Sequence, residues 1–159
     1  MEEILDFTKI ESFKFKKKGH VINSLNRLSY LIVVILFTLK LSSNQKKASL
    51  LKIQLISQAM RNEKNIAVLN KIFTGNSDIY NYNTFEFSQE IQKAIDFSIA
   101  DELIQILNKN TCLLSIKGDN LCDYIISRDL FQELRSKITE MKSLNLSESN
   151  IKKKLKEIA

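Results

Sequence analysis

The stretch AIDFSIADELIQILNKNTCLLSIKGDNLCDYI, residues 94–125, decides the fold. Its first residues belong to an amphipathic helix predicted over 88–102, because the apolar positions there recur at three-four spacing. Two short apolar runs then flank the polar turn Asn108–Asn110, which indicates a β-hairpin with asparagines at positions of positive φ. Ser115 is predicted to cap a further helix that has Gly118 in its first turn. Helix, hairpin, capped helix is the order found around the wing of a winged helix.

Three helices are predicted ahead of this stretch. The first is strongly apolar and ends near Leu41, the second begins at Ala48 and reaches Met60, and the third spans roughly Glu63–Phe73, where Gly75 stops it. Residues 74–87 (TGNSDIYNYNTFEF) are rich in asparagine and predict a loop. Two final helices are expected at about 128–143 and 147–158.

These elements predict a mainly α fold with a small β-hairpin, which is a winged-helix-like (α+β) architecture. We expect a polar, basic leader at 1–20, a helical winged-helix-like domain at 21–127 and a helical extension at 128–159. The absence of proline and the presence of only three glycines agree with a helix-rich chain.

The composition favours an intracellular globular protein. Hydrophobic residues make up 44% of the chain and charged residues 26%, which is ordinary for a folded domain. The apolar run Tyr30–Phe37 is far shorter than the roughly 20 residues that span a bilayer, so we expect a central buried helix and no membrane role. The N-terminus is acidic, unlike that of a signal peptide, and the two cysteines suit reduced thiols in the cytoplasm.

The sequence offers no catalytic constellation. His20 is the only histidine, so neither a nucleophile–base pair nor a zinc site can be completed. The stretch around Gly75 lacks the lysine and spacing of a phosphate-binding loop. We therefore expect no enzyme activity, no metal and no cofactor.

The formal net charge of +6 is compatible with a polyanionic partner. The polar positions of the 88–102 helix are more acidic than basic, however, which disfavours direct reading of a DNA groove and favours a protein partner. Any nucleic-acid contact should then use the backbone, through lysines elsewhere. Our candidates are Lys46, Lys47, Lys52, Lys16, Lys17 and Lys18. The aromatic residues proposed for a partner interface are Tyr80, Tyr82, Phe85 and Phe87, although packing within the protein is an equal alternative.

Two segments resemble a known family. The first, LNRLSYLIVVILFTLKLSSNQKKASLLKIQLISQAMRN (25–62), resembles the apolar helix, basic turn, small-residue pair and amphipathic helix of the middle components of bacterial ABC-three-component systems. Its most family-like residues lie at 47–51. The second is the 94–125 stretch, with Ser115 and Gly118 in the family's Ser/Thr-x-x-Gly helix start.

The resemblance implies a non-enzymatic subunit that works beside an SMC-like or Rad50-like ATPase and an effector, often a nuclease. Lamassu-type antiphage defence is the related case, in which the small subunit bridges the ATPase heads and holds the effector, and DNA contact comes through the complex. A stand-alone winged-helix transcriptional regulator is the alternative. It would form a homodimer and bind one operator sequence.

Overall fold

The computed structural model describes residues 27–75 and 88–158. Within these ranges the helices and strands follow in the order α1 (Leu28–Leu41), β1 (Lys47–Ser49), α2 (Leu50–Ala59), α3 (Glu63–Thr74), α4 (Gln89–Ala100), β2 (Ile104–Asn108), β3 (Thr111–Leu114), α5 (Ile116–Ser127), α6 (Gln132–Glu140) and α7 (Glu148–Ile158). The chain is mainly helical with one small antiparallel sheet, so the α+β class is confirmed. The basic leader predicted at 1–20 lies outside the described residues.

The core is built around α1. Every residue from Val33 to Leu39 is buried, and the helix packs against α2, α4, α5 and α6. The polar atoms inside this apolar helix are satisfied locally: the Thr38 hydroxyl donates to the Val34 carbonyl at 2.7 Å, and the hydroxyls of Ser42 and Ser43 donate to the Thr38 carbonyl. The prediction of a central buried helix is confirmed. None of the helices in the described ranges combines the length and apolar character needed to cross a bilayer.

The hairpin formed by β2 and β3 is confirmed, but a third strand accompanies it. The sheet order is β1–β3–β2, with β1 antiparallel to β3 in the register Ala48 opposite Cys112. The sequence predicts a helix that begins at Ala48. Ala48 lies in β1 instead, because the edge of β3 that does not face β2 provides backbone partners for residues 47–49. Helix α2 starts only after Ser49, whose side chain accepts a hydrogen bond from the Lys52 amide.

The hairpin turn differs from the expected asparagine geometry. Neither Asn108 nor Asn110 has a positive φ. The side-chain oxygen of Asn108 accepts a hydrogen bond from the Asn110 amide at 3.1 Å, and this contact closes the turn without left-handed backbone. Leu107 is an extra residue in β2, where the register shifts between Ile106 and Asn108.

The start of α5 is fixed as predicted. Ser115 accepts from the Gly118 amide at 2.9 Å, and its hydroxyl lies 2.7 Å from the Glu102 carbonyl and 2.9 Å from the Leu103 carbonyl. Gly118 is buried because the helix approaches the backbone at Leu103 closely. This cap joins the end of α4, the hairpin and α5 into one unit.

The C-terminal elements share the same core. Buried side chains of this region belong to the one apolar cluster that surrounds α1, namely Leu134, Ile138, Met141, Leu146 and Ile151. The first of the two predicted helices is shorter than expected, because a turn with positive φ at Asp129 and Phe131 separates α5 from α6.

Candidate functional surfaces

The predicted contact residue Lys46 is already neutralised by the protein. Its ammonium group lies 2.5 Å from one carboxylate oxygen of Asp119, while Lys40 lies 2.6 Å from the other and 2.7 Å from Asp123. The hydrogen bond from Lys40, followed by that from Lys46, holds the pKa of the Asp119 carboxyl below its usual range. Lys46 is thus a weaker candidate for binding an external anion than its neighbour Lys47.

Lys47 and Lys52 lie together on a concave surface with a third lysine, Lys142. We call these three residues the lysine cradle. The concavity has a volume of ≈ 450 Å³ and lies beside β1, the first turn of α2 and the approach to α7. Its remaining lining residues are mostly polar: Ser42, Asn44, Ala48, Ser49, Thr111, Asn145, Leu146, Ser147 and Glu148.

The lining of the lysine cradle has one acid, Glu148, against three lysines. Within the described part of the chain, no carboxylate forms an ion pair with Lys47, Lys52 or Lys142, and Glu148 is paired with Lys152. Burial, followed by the charge of Lys142, lowers the pKa of Lys52. The ammonium group of Lys52 donates to the Ser42 carbonyl at 2.6 Å, which fixes it at the C-terminal end of α1.

Lys142 was missed by the sequence analysis. It stands in the 3₁₀ turn Met141–Ser143, outside any basic run, and reaches the cradle only through the packing of the C-terminal elements. No local sequence pattern predicts that Lys142, about 90 positions downstream, lies beside Lys47 and Lys52.

A second surface, part apolar and part polar, lies beside the hairpin. Ile99, Ile106 and Ile116, which we call the hairpin surface, line a concavity of ≈ 590 Å³ together with Ile104 and four polar residues, Glu102, Gln105, Ser115 and Lys117. Ile116 is 83% exposed and Ile106 is 48% exposed. The rim carries an ion pair in which the Lys117 ammonium lies 3.0 Å from Asp101.

The hairpin surface includes a sheet edge. Because β2 is the outer strand in the order β1–β3–β2, one side of its backbone has no neighbouring strand among the described residues. An edge strand with exposed isoleucine is a ready template for pairing with another chain. The sequence predicts the hairpin but not the exposure of its outer strand.

The exposed face of α4 is acidic, as its sequence indicates. Glu90 and Asp96 are exposed, and Asp101 and Glu102 follow at its C-terminal end, against a single lysine, Lys93, in the helix. Although Glu90 lies 3.6 Å from Arg61 and Asp101 pairs with Lys117, the face has no excess of positive charge to attract phosphate. It gives this helix no evident means of entering a DNA groove.

A further apolar feature is the turn between α5 and α6. Phe131 adopts a φ of 56°, which is unusual for a bulky residue, and its ring packs against Tyr30 with centroids 6.3 Å apart. Leu130 beside it is 47% exposed. Together with Ile106 and Ile116, Leu130 and Phe131 make up half of the eight large hydrophobic residues that are exposed in the described chain.

The described residues contain no cluster of metal ligands, and their two thiols are buried. In residues 27–75 and 88–158, no three His, Cys, Asp or Glu side chains gather closely enough to hold a metal ion. Both cysteines are buried, and burial raises the pKa of Cys112 to about 11 and that of Cys122 to about 12. Since the thiolate is the reactive form, these thiols are poor nucleophiles at neutral pH.

The other predicted site residues lie outside the described residues. These are Lys16, Lys17 and Lys18 of the leader, and Tyr80, Tyr82, Phe85 and Phe87 of the asparagine-rich segment. Their roles remain predictions.

Comparisons with protein-family models, with curated proteins and with solved structures find no match for this chain.

Proposed function

We propose that this protein is a non-enzymatic accessory subunit that joins an SMC-like ATPase to an effector, such as a nuclease, in a cytoplasmic antiphage defence complex. The resemblance of residues 25–62 and 94–125 to the middle components of ABC-three-component systems supplies the identity of the partners. The structure contributes support for a protein-binding role.

The hairpin surface is the observation that carries this proposal. Isolated exposed isoleucines are common, but here the exposed Ile106 and Ile116 share one concavity with the partly buried Ile99, beside an open sheet edge. Ile116 stands out because 83% of its surface meets solvent. Covering such a site with a partner would remove apolar area from water and would complete the sheet edge.

The arrangement of elements supports a winged-helix-like subunit. The hairpin follows α4 and precedes the capped helix α5, in the order expected of a wing, while β1 extends the sheet on the other side of β3. In a DNA reader the helix before the wing would carry basic residues. Here α4 presents an acidic face, which favours a protein partner over direct reading of DNA sequence.

The test is an affinity purification of the tagged chain co-expressed with its genomic neighbours. Recovery of a large coiled-coil ATPase in stoichiometric amount is expected. Ile106→Glu and Ile116→Glu should each abolish recovery without unfolding the protein, because both side chains are exposed. Leu130→Glu, the same change at a similarly exposed residue away from the hairpin, serves as the matched control and should retain the ATPase.

Two results would contradict the proposal. Recovery of the chain alone as a homodimer that shifts one particular DNA sequence would refute the subunit role and establish the regulator. Loss of the ATPase in the Leu130→Glu control to the same degree as in the hairpin variants would show that the hairpin surface is not the specific interface.

A further inference from the structure

We propose that the lysine cradle binds the phosphate backbone of nucleic acid without sequence preference, at a site separate from the hairpin surface. This inference does not depend on the proposed subunit role. It rests on how three lysines from distant parts of the chain meet in one concavity.

The convergence is produced by the tertiary fold. Lys47 comes from β1, Lys52 from the first turn of α2, and Lys142 from the 3₁₀ turn ahead of α7. All three line the same ≈ 450 Å³ concavity. Bringing like charges together costs free energy, and the one carboxylate in the lining, Glu148, is paired with Lys152, so the cluster is best compensated by a bound anion.

Several other lysines of the described residues are paired with carboxylates: Lys40 and Lys46 share Asp119, Lys117 pairs with Asp101, and Lys137 pairs with Glu133. Exposed lysines such as Lys64 and Lys71 stand on a helix surface outside the concavity. The lysine cradle differs from both groups because three lysines share one concavity and none of them forms an ion pair within the described residues, which leaves a patch of net positive charge. The fold keeps Lys52 in place through its 2.6 Å hydrogen bond to the Ser42 carbonyl, so the patch is partly preorganised.

The rest of the lining favours nucleic acid over an acidic protein segment. Besides one carboxylate, Glu148, the lining contributes hydroxyl groups of Ser49, Thr111 and Ser147 and amides of Asn44 and Asn145. Such groups, with lysine, make the contacts to phosphate and sugar that position proteins on a duplex. The lining has few apolar residues, whereas a protein interface normally has an apolar centre.

The location also separates nucleic-acid binding from partner binding. The cradle is built on β1, α2 and the approach to α7, while the hairpin surface uses α4, β2 and the start of α5. A chain with both sites can hold a protein partner and touch a nucleic-acid backbone at the same time. The acidic face of α4 would not take part in the second contact.

The experiment is fluorescence anisotropy of the full chain with labelled 20-base-pair duplexes of two unrelated sequences, at several salt concentrations. Equal affinity for both sequences and a linear fall of log affinity with log salt are expected. The double variant Lys47→Glu/Lys142→Glu should weaken binding about tenfold or more and reduce the salt slope by about two, since each engaged lysine contributes close to one. Neither lysine has an ion pair in the described structure, so the variant should fold normally.

The matched control is Lys64→Glu/Lys71→Glu. Both lysines are exposed on α3 and lie outside the cradle, and the change in net charge is identical. Near-wild-type affinity and slope in this control would support a localised site. Equal weakening in both double variants would overturn the proposal and assign binding to overall charge. Failure of the wild-type chain to bind either duplex, or cradle-dependent binding of polyglutamate with no binding of DNA, would overturn it as well.

Discussion

Replacement of Gly118 by alanine is expected to destabilise the protein strongly. A Cβ atom added to this buried residue would lie 2.1 Å from the Leu103 carbonyl oxygen and 2.8 Å from a methyl carbon of Leu114. The nearest atom belongs to the backbone, so no side-chain rotation relieves the overlap. Helix α5 would have to retreat by about 1 Å from the turn that leads into β2.

The magnitude follows from what that retreat breaks. The Leu103 carbonyl accepts from the Ser115 amide at 3.1 Å, and the Ser115 hydroxyl lies close to the carbonyls of Glu102 and Leu103. Each weakened hydrogen bond costs about 1 kcal/mol, and overpacking adds about 1–3 kcal/mol. Alanine would otherwise favour a helix over glycine by about 1 kcal/mol. The net loss in the free energy of unfolding is therefore about 3 kcal/mol.

Urea unfolding followed by circular dichroism measures this loss directly. Asn120→Ala is the control, because Asn120 is exposed on the same helix and alanine there should leave stability unchanged or raise it slightly. If Gly118→Ala proves as stable as the parent protein, the close approach of α5 to Leu103 is refuted. The requirement for glycine three residues after Ser115 would be refuted as well.

Three further predictions concern stability and thiol chemistry. Asp119→Asn should lower the free energy of unfolding by about 1 kcal/mol at pH 7. Lys40 keeps the pKa of Asp119 low in the folded state. The stabilisation by Asp119 is therefore present above the unfolded-state pKa, near 4, and is lost as the pH falls through the folded-state pKa. Urea titrations at several pH values should show the free energies of unfolding of variant and parent converging in acid. Cys112 and Cys122, buried with raised pKa, should react with a thiol reagent at pH 8 only after denaturant is added, and rapid labelling of the native protein would contradict their burial. Phe37→Ala should cost about 3–5 kcal/mol in thermal or urea unfolding, because the ring is fully buried in α1, and a loss under 1 kcal/mol would refute the central position of that helix.

Features determined by short-range chemistry could be predicted from the sequence. The apolar run of α1 specified a central helix, Ser115 specified the start of α5, and Gly75 marked the end of α3, where it adopts the left-handed conformation with a φ of 82°. Each of these depends on side chains within about one helical turn. The hairpin was also evident, although its turn is closed by the Asn108 side chain and not by positive φ.

Features that depend on distant partners could not be predicted. Strand β1 is only three residues long, and its extended form depends on pairing with β3, whose first residue lies more than 60 positions downstream of β1. The same limit applies to Lys46, which looked free in the sequence but pairs with Asp119, and to Lys142, which joins Lys47 and Lys52 only after folding. Candidate lysines can be chosen from composition, but which of them remain uncompensated is decided by tertiary contacts.

Hydrogen–deuterium exchange would show most directly whether the hairpin surface is where the protein meets its partner. The chain should be measured alone and in the complex purified with its genomically encoded ATPase. Strong protection of residues 104–118 on complex formation, with little change in α3, is the result we predict. Unchanged exchange across 104–118 in a complex that has formed would contradict it and would place the interface elsewhere on the protein.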